Sequence, residues 1–204
     1  MGLTHTPQKI EFGTPLPDFS LLATNGETYK KNDFINNNPL VVMFICNHCP
    51  YVKAIEDRLI TLGHDLEKLN INLVAICSND EVHYPDDSYD NLKKRAEEKN
   101  YPFVYLQDKT QEVAKAFDAV CTPDFFVYDK NATLAYRVRL DYSWKDSTLV
   151  QQRELYDAVV ELSLNHKILR PQTPSMGCSI KWSNHTDKLS DKLSDKLPEQ
   201  MRSK

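Results

Sequence analysis

Cys46-Asn47-His48-Cys49-Pro50 follows directly on the apolar run Leu40-Val41-Val42-Met43-Phe44-Ile45. Two thiols separated by two residues can close into a small disulfide ring without moving the chain around them. A helical pattern starts at the second cysteine, and a helix N-terminus favours negative charge. At least one thiol is therefore expected to ionise more readily than a free cysteine. These are the parts needed for thiol–disulfide exchange, in which a thiolate attacks a sulfur and a second thiol resolves the mixed disulfide. His48, inside the ring, is placed to stabilise a Cys46 thiolate as a cation or hydrogen-bond donor. Cys46, His48 and Cys49, with Cys121 as a fourth ligand, also form a soft-metal set for Cu(I) or Zn(II). Against metal stand the lack of a second His- or Cys-rich cluster and the adjacency of His48 and Cys49, whose side chains are expected to diverge. The redox reading needs no cofactor and no bound metal.

The surrounding pattern supplies elements to hold this pair. Leu40–Ile45 reads as a strand buried on both faces. From Pro50 the period changes: Val52, Ile55, Leu59, Leu62, Leu66 and Leu69 recur at spacings of three and four, the mark of one face of a long helix. Pro50 suits its first turn, where the missing N–H costs nothing. Leu73–Cys77 is a second buried strand, with Cys77 a small core residue. A polar loop from Ser78 to Ser88 leads to a helix over Tyr89–Lys99, which Asn100-Tyr101-Pro102 stops. Phe103–Leu106 is a third strand, and Thr110 is placed to cap a short helix through Phe117. Asp124–Tyr128 and Leu134–Arg139 form a hairpin around Asp129-Lys130-Asn131, and a last helix covers about Val150–Lys167. Upstream, Asn25-Gly26 marks a small hairpin within Phe19–Tyr29.

Strands and helices that alternate and finish in an antiparallel hairpin predict an α/β fold, with a mixed central β-sheet flanked by helices and an N-terminal β-hairpin extension. The expected divisions are a flexible arm over 1–14, one domain over 15–170 and a C-terminal extension over 171–204. In that extension Asp187-Lys188-Leu189-Ser190 recurs as Asp191-Lys192-Leu193-Ser194, which reads as a solvated tail. A net charge of −4 with both signs interspersed gives no reason to expect nucleic acid or an anionic membrane as partner. No basic stretch followed by an apolar run opens the chain, and no run reaches the roughly 18 apolar residues of a membrane span. Five cysteines are an odd set and no dense disulfide framework, so a reducing, cytoplasmic setting is expected.

The dithiol junction and the later Cys121-Thr122-Pro123-Asp124-Phe125-Phe126 together resemble the thioredoxin fold. More closely, the chain is similar to the redoxin branch related to alkyl hydroperoxide reductases and thiol-specific antioxidant proteins. The resemblance runs from about Pro15 to Trp182. It takes in Leu16-Pro17-Asp18-Phe19, the loop from Ser78-Asn79-Asp80 through Tyr84-Pro85-Asp86-Asp87-Ser88, and Pro174-Ser175-Met176-Gly177-Cys178-Ser179-Ile180-Lys181-Trp182.

This resemblance implies a cis peptide at Thr122-Pro123, where a tight turn presents a backbone edge to an incoming substrate. Asn79, Asp80 and Tyr84 are expected to rim the same cleft. In thioredoxin-like exchange Cys46 attacks and Cys49 resolves. In a peroxiredoxin-like reaction Cys49, followed by Pro50, attacks a hydroperoxide and becomes a sulfenic acid with which Cys46 condenses. Arg137 and Arg139 are then the candidates to stand beside the peroxide oxygens. Thr122-Pro123 favours exchange. Cys121 and Cys178 are candidates for additional redox thiols. The implied partners are a protein or small-molecule disulfide, or a hydroperoxide, and an external thiol reductant. The chain departs from the thioredoxin pattern at Ile45, where Trp is common, and at Leu40, where a buried acid is found. Proton transfer to the resolving thiol must then come from another residue or from water.

Overall fold

The computed structural model describes residues 3–7 and 11–183. In chain order its elements are β1 (Leu3–His5), β2 (Ser20–Ala23), β3 (Thr28–Lys30), β4 (Leu40–Phe44), α1 (Pro50–Lys68), β5 (Asn72–Cys77), α2 (Tyr89–Lys99) and β6 (Val104–Gln107). These are followed by α3 (Glu112–Ala116), β7 (Cys121–Thr122), β8 (Asp124–Tyr128), β9 (Leu134–Val138), α4 (Glu154–Asn165) and β10 (Met176–Ser179). Seven strands form one sheet in the order β3-β2-β6-β5-β4-β8-β9. The pairs β4–β5 and β5–β6 are parallel, and the rest are antiparallel.

The central position of β4 explains its unbroken apolar run. Val41 and Met43, continued by Ile45, pack with Val52, Ile55, Leu59 and Leu62 of α1, Leu92 of α2 and Leu155 and Val159 of α4. Leu40, Val42 and Phe44 face the opposite layer, with Phe19, Phe34, Val113, Phe117 and Phe126. Both faces of the strand are dry, so the period of two disappears from the sequence. The apolar stripe of α1 lies where its spacing put it, except that Leu69 falls beyond the last turn and is exposed.

Local signals mark the other elements. Gly26 turns the β2–β3 hairpin with φ +90°, and Asn25 Oδ1 accepts from the Glu27 N–H at 3.0 Å. This hairpin extends the main sheet, with β2 paired to β6 and β3 at the edge. The short helix α3 starts after Gln111, not at Thr110, and its Ala114 N–H is held by Asp108 Oδ2 at 2.9 Å. α4 begins at Glu154, later than the apolar pattern suggested, because Ser147–Leu149 form a separate 3-10 turn.

The two ends of the described chain correct the expectation of loose termini. Leu3–His5, expected within a flexible arm, pairs antiparallel with Met176–Cys178, and β10 in turn pairs antiparallel with β7. This three-stranded sheet, β1-β10-β7, lays the segment 171–183 against the core, and Cys178 is buried there. The Asp187–Ser194 repeat lies outside the described residues.

Gly177 is what allows β10 to come so near. A Cβ at this position would stand 1.9 Å from the Thr122 carbonyl oxygen. Gly177→Ala is therefore expected to push β10 off β7 and to cost about 2 kcal/mol of stability, the usual scale of core overpacking. An unchanged urea midpoint for the variant would show that the strands are not held this closely.

Candidate active site

Three chain segments converge at the carboxyl end of β4. Cys46 lies two residues beyond it, Ser78 and Asn79 follow β5, and Thr122-Pro123 precedes β8, whose Asp124 is paired with Phe44. The Thr122-Pro123 peptide is cis. Cys46 Sγ lies 3.3 Å from Thr122 Oγ1, and the Cys49 thiol points to the Thr122 carbonyl oxygen at 3.1 Å. All five cysteines are thiols, and both sulfurs of the pair are shut away from solvent, at 1% and 0% exposure.

The two thiols are not equivalent. Cys49 caps the N-terminus of α1, with Pro50 in the first turn. A hydrogen bond from Cys46, aided by Thr122 and by the backbone N–H groups of Val52 and Cys178, lowers its pKa to about 5 despite burial. Cys46 moves the other way. Burial first, then its bond to Cys49 and the charge of Asp87, raise it well above the ordinary thiol range. Both directions favour Cys49 over Cys46 as the thiol that ionises first. This reverses the order of ionisation that a stabilising His48 suggested for Cys46.

His48 is engaged by an acid that the sequence did not single out. Its Nδ1 lies 2.5 Å from Asp87 Oδ2 and 3.8 Å from Cys46 Sγ. Asp87 is fully buried and also accepts from the N–H groups of Asn47 at 2.7 Å and His48 at 3.3 Å. Asn79 Nδ2 donates to the same carboxylate at 2.8 Å, and the Tyr84 ring stacks on His48 with centroids 5.1 Å apart. Asp80, expected at the rim, turns instead to His83. Asn47 is tied through its side chain to the carbonyls of Asp86 and Asn91. One carboxylate therefore fixes the whole turn between the cysteines. It supplies the buried acid that Leu40 lacks, from a loop instead of a strand. Two neighbouring aspartates in a polar loop, Asp86 and Asp87, were the only available signal.

The remaining candidates separate. Cys121 Sγ donates to the Pro123 carbonyl at 3.7 Å, and burial pushes its pKa up. Cys178 lies across from Thr122 in the β10–β7 register and hydrogen-bonds Cys49. Cys77, in the core as expected, has its pKa raised by burial. Arg137 is no surface charge: it is buried, pairs with Asp124 at 2.7 Å and lies over the Phe126 ring. Arg139 is paired with Glu154 at 2.7 Å. Both guanidinium groups are thus committed to partners outside the dithiol. The metal set also changes: among the described residues, the ligand atoms that gather within 4.8 Å of one another are those of Cys46, His48 and Asp87, without Cys49 and Cys121.

A mixed sheet between helical layers, a dithiol at the start of α1 and a cis-proline beside it define a thioredoxin-like oxidoreductase. Residues 12–137 match the AhpC/TSA family, and the chain belongs to that redoxin family. The chain is similar to an uncharacterised conserved protein from Geobacillus kaustophilus, with 40% identity over 91% of this chain and 99% of that one and a TM-score of 0.85. A hypothetical protein from Sinorhizobium meliloti 1021 is 34% identical over 86% of this chain and 97% of that one, with a TM-score of 0.81. The thioredoxin domain of a thiol-disulfide oxidoreductase from Bacteroides vulgatus shares the fold at 14% identity, over 76% of this chain and 99% of that one, with a TM-score of 0.58. None of the curated proteins compared with the chain matches it.

Proposed function

We propose that the protein is a dithiol–disulfide oxidoreductase in which Cys49 is the attacking thiolate and Cys46 the resolving thiol. The observation that carries this reading is the place of Cys49 at the N-terminus of α1, within reach of Thr122 and Cys46, where a negative charge on its sulfur is favoured. Cys49 attacks one sulfur of a substrate disulfide, the substrate S–S bond breaks, and one half leaves as a thiol after taking a proton. Cys46 then gives up its proton and attacks Cys49 Sγ, closing the Cys46–Cys49 disulfide and releasing the second half. The departing half takes that proton, because His48 Nδ1, 3.8 Å from Cys46, is already committed to Asp87. Two electrons pass to the substrate, and an external thiol reductant in a reducing, cytoplasmic setting restores the pair. Thr122 positions both sulfurs. The backbone edge that it shares with Cys121 is taken by β10, which favours small disulfides over an added protein strand.

Peroxide is the second reading, favoured by the burial of Cys49, which leaves little room around the sulfur. Attack on the peroxide oxygen would leave Cys49 as a sulfenic acid and release water or an alcohol. Cys46 would then condense with it and release water. The commitment of Arg137 and Arg139 elsewhere weighs against that chemistry.

Single-turnover mixing of the reduced protein with oxidised glutathione and, separately, with hydrogen peroxide tests both. Fast formation of a Cys46–Cys49 disulfide from glutathione disulfide with slow peroxide consumption is the expected result. Fast peroxide consumption with a sulfenic acid trapped on Cys49 of Cys46→Ser would make peroxide the substrate. Inertness towards both would overturn the redox assignment.

A further inference from the structure

Cys49 has thiols on two sides. One belongs to Cys46, three residues earlier in the same turn. The other belongs to Cys178, on a strand that reaches the site from the far end of the domain. Several independent features put it there. β10 pairs with β7 so that Cys178 lies opposite Thr122, the residue whose carbonyl oxygen is 3.1 Å from Cys49 Sγ. Gly177 lets the β10 backbone approach that carbonyl more closely than any side chain would permit. β1 pairs on the outer edge of β10 and Ser175 Oγ donates to the Pro123 carbonyl at 2.7 Å, so the strand is fixed on both sides of Cys178. The backbone N–H and the thiol of Cys178 are both in hydrogen-bond contact with Cys49.

From this placement we infer that Cys178 is a second resolving thiol, able to take the disulfide from Cys49 in place of Cys46. The inference rests on the assignment of Cys49 as the attacking thiolate. In the intermediate where Cys49 is bonded to a substrate sulfur, Cys178 loses its proton and attacks Cys49 Sγ. The Cys49–substrate bond breaks, the Cys49–Cys178 bond forms, and the substrate half leaves with a proton. In the enzyme already oxidised at Cys46–Cys49, the same attack expels Cys46, which takes up a proton, and no net electrons move. In the reduced state Cys178 is held protonated: burial, then its bond to the charged Cys49, pushes it up to about 11. Once Cys49 enters a disulfide that negative charge is gone, so Cys178 becomes easier to ionise at the moment it is needed. Cys121, with its sulfur turned to the Pro123 carbonyl, does not share this role.

The test uses the full chain carrying Cys46→Ser. After reduction it is treated with diamide in one arm and with oxidised glutathione in the other, then quenched in acid, alkylated and mapped by mass spectrometry. Diamide, as two-electron acceptor, is expected to yield a Cys49–Cys178 disulfide in most molecules. Glutathione disulfide is expected to give the same bond with release of both glutathione thiols. In Cys46→Ser/Cys178→Ser the glutathione should instead stay on Cys49, with release at least tenfold slower. A Cys49–glutathione adduct that is equally long-lived with and without Cys178, or a diamide product linking Cys49 to Cys121, would overturn the inference. Failure of the parent chain to form a Cys46–Cys49 disulfide with glutathione disulfide would overturn the proposed function instead, and the diamide arm would still decide on Cys178.

Discussion

Cys49→Ser is expected to lower the rate of disulfide reduction at pH 7 by at least about a thousandfold, the scale on which loss of a nucleophile shows in other enzymes. A serine hydroxyl in this position stays protonated, so the helix N-terminus and the Val52 and Cys178 N–H groups have no charge to stabilise. Cys46 cannot take over easily, because burial and the charge of Asp87 oppose its ionisation. Cys46→Ser should behave differently. Its first step, attack by Cys49, is expected to survive within about tenfold, since a hydroxyl can still donate to the thiolate. The reverse ranking, with Cys46→Ser inert and Cys49→Ser reactive in the first step, would return the attack to Cys46.

The pH dependence follows from the same cause. Thiolate absorbance and the rate of attack by the reduced parent should rise through about pH 5 and then stay level to pH 8. The folded pKa of Cys49 lies below the unfolded thiol value of about 8.5, so the unfolded chain binds more protons between them. Stability of the reduced protein attributable to Cys49 therefore rises with pH across that window and is lost as pH falls through about 5. Asp124 acts in the opposite sense at lower pH: burial raises its carboxyl to about 6 against the pull of Arg137. The urea midpoints of parent and Cys49→Ala compared at pH 5.5 and 8 separate the two, because only the thiol contribution disappears in the variant.

How much of this was legible in the sequence depended on whether a feature is local. The alternation of Val41 and Met43 against Val42 and Phe44 is masked by burial on both sides, yet the continuous run still named the strand. Pro50 and the spacing from Val52 to Leu66 gave the helix, and so fixed which cysteine caps it. Pairing between distant segments left no such trace. Thr6 and Ser175 are 169 residues apart where their backbones join, and nothing in Leu3–His5 announces a strand. Without that sheet Cys178 could be placed near the site only by resemblance. Arg137 was equally opaque, because an arginine on an alternating strand looks the same facing water or facing Asp124. The order of ionisation of the two thiols needed three-dimensional knowledge of which sulfur meets backbone N–H groups and which meets a carboxylate.

Asp87 provides the second large effect. Its carboxylate takes hydrogen bonds from the backbone of Asn47 and His48, from the His48 ring and from Asn79, with none of its own surface exposed to water. Asp87→Ala would leave these donors buried without an acceptor, and a cost of about 3 kcal/mol is expected from the loss of charge-assisted bonds. The turn between the cysteines would also lose the group that sets its shape, so dithiol turnover should fall at least about tenfold, as misplacement of reacting groups commonly costs that much or more. Stability alone cannot account for the site, so the informative readout is the pH profile. Asp87 raises the pKa of Cys46 by its charge, and its carboxylate, His48 Nδ1 and that thiol lie within 4.8 Å of one another. In Asp87→Asn, which keeps an acceptor for the backbone N–H groups, the ionisation of Cys46 should move to lower pH while that of Cys49 stays near 5. Rapid-mixing measurement of the resolving step across pH 6 to 10 reads this directly. A profile that does not move in Asp87→Asn would reduce Asp87 to a scaffold for the turn, whereas a shift to lower pH makes it the residue that keeps the second proton on Cys46 until the mixed disulfide has formed.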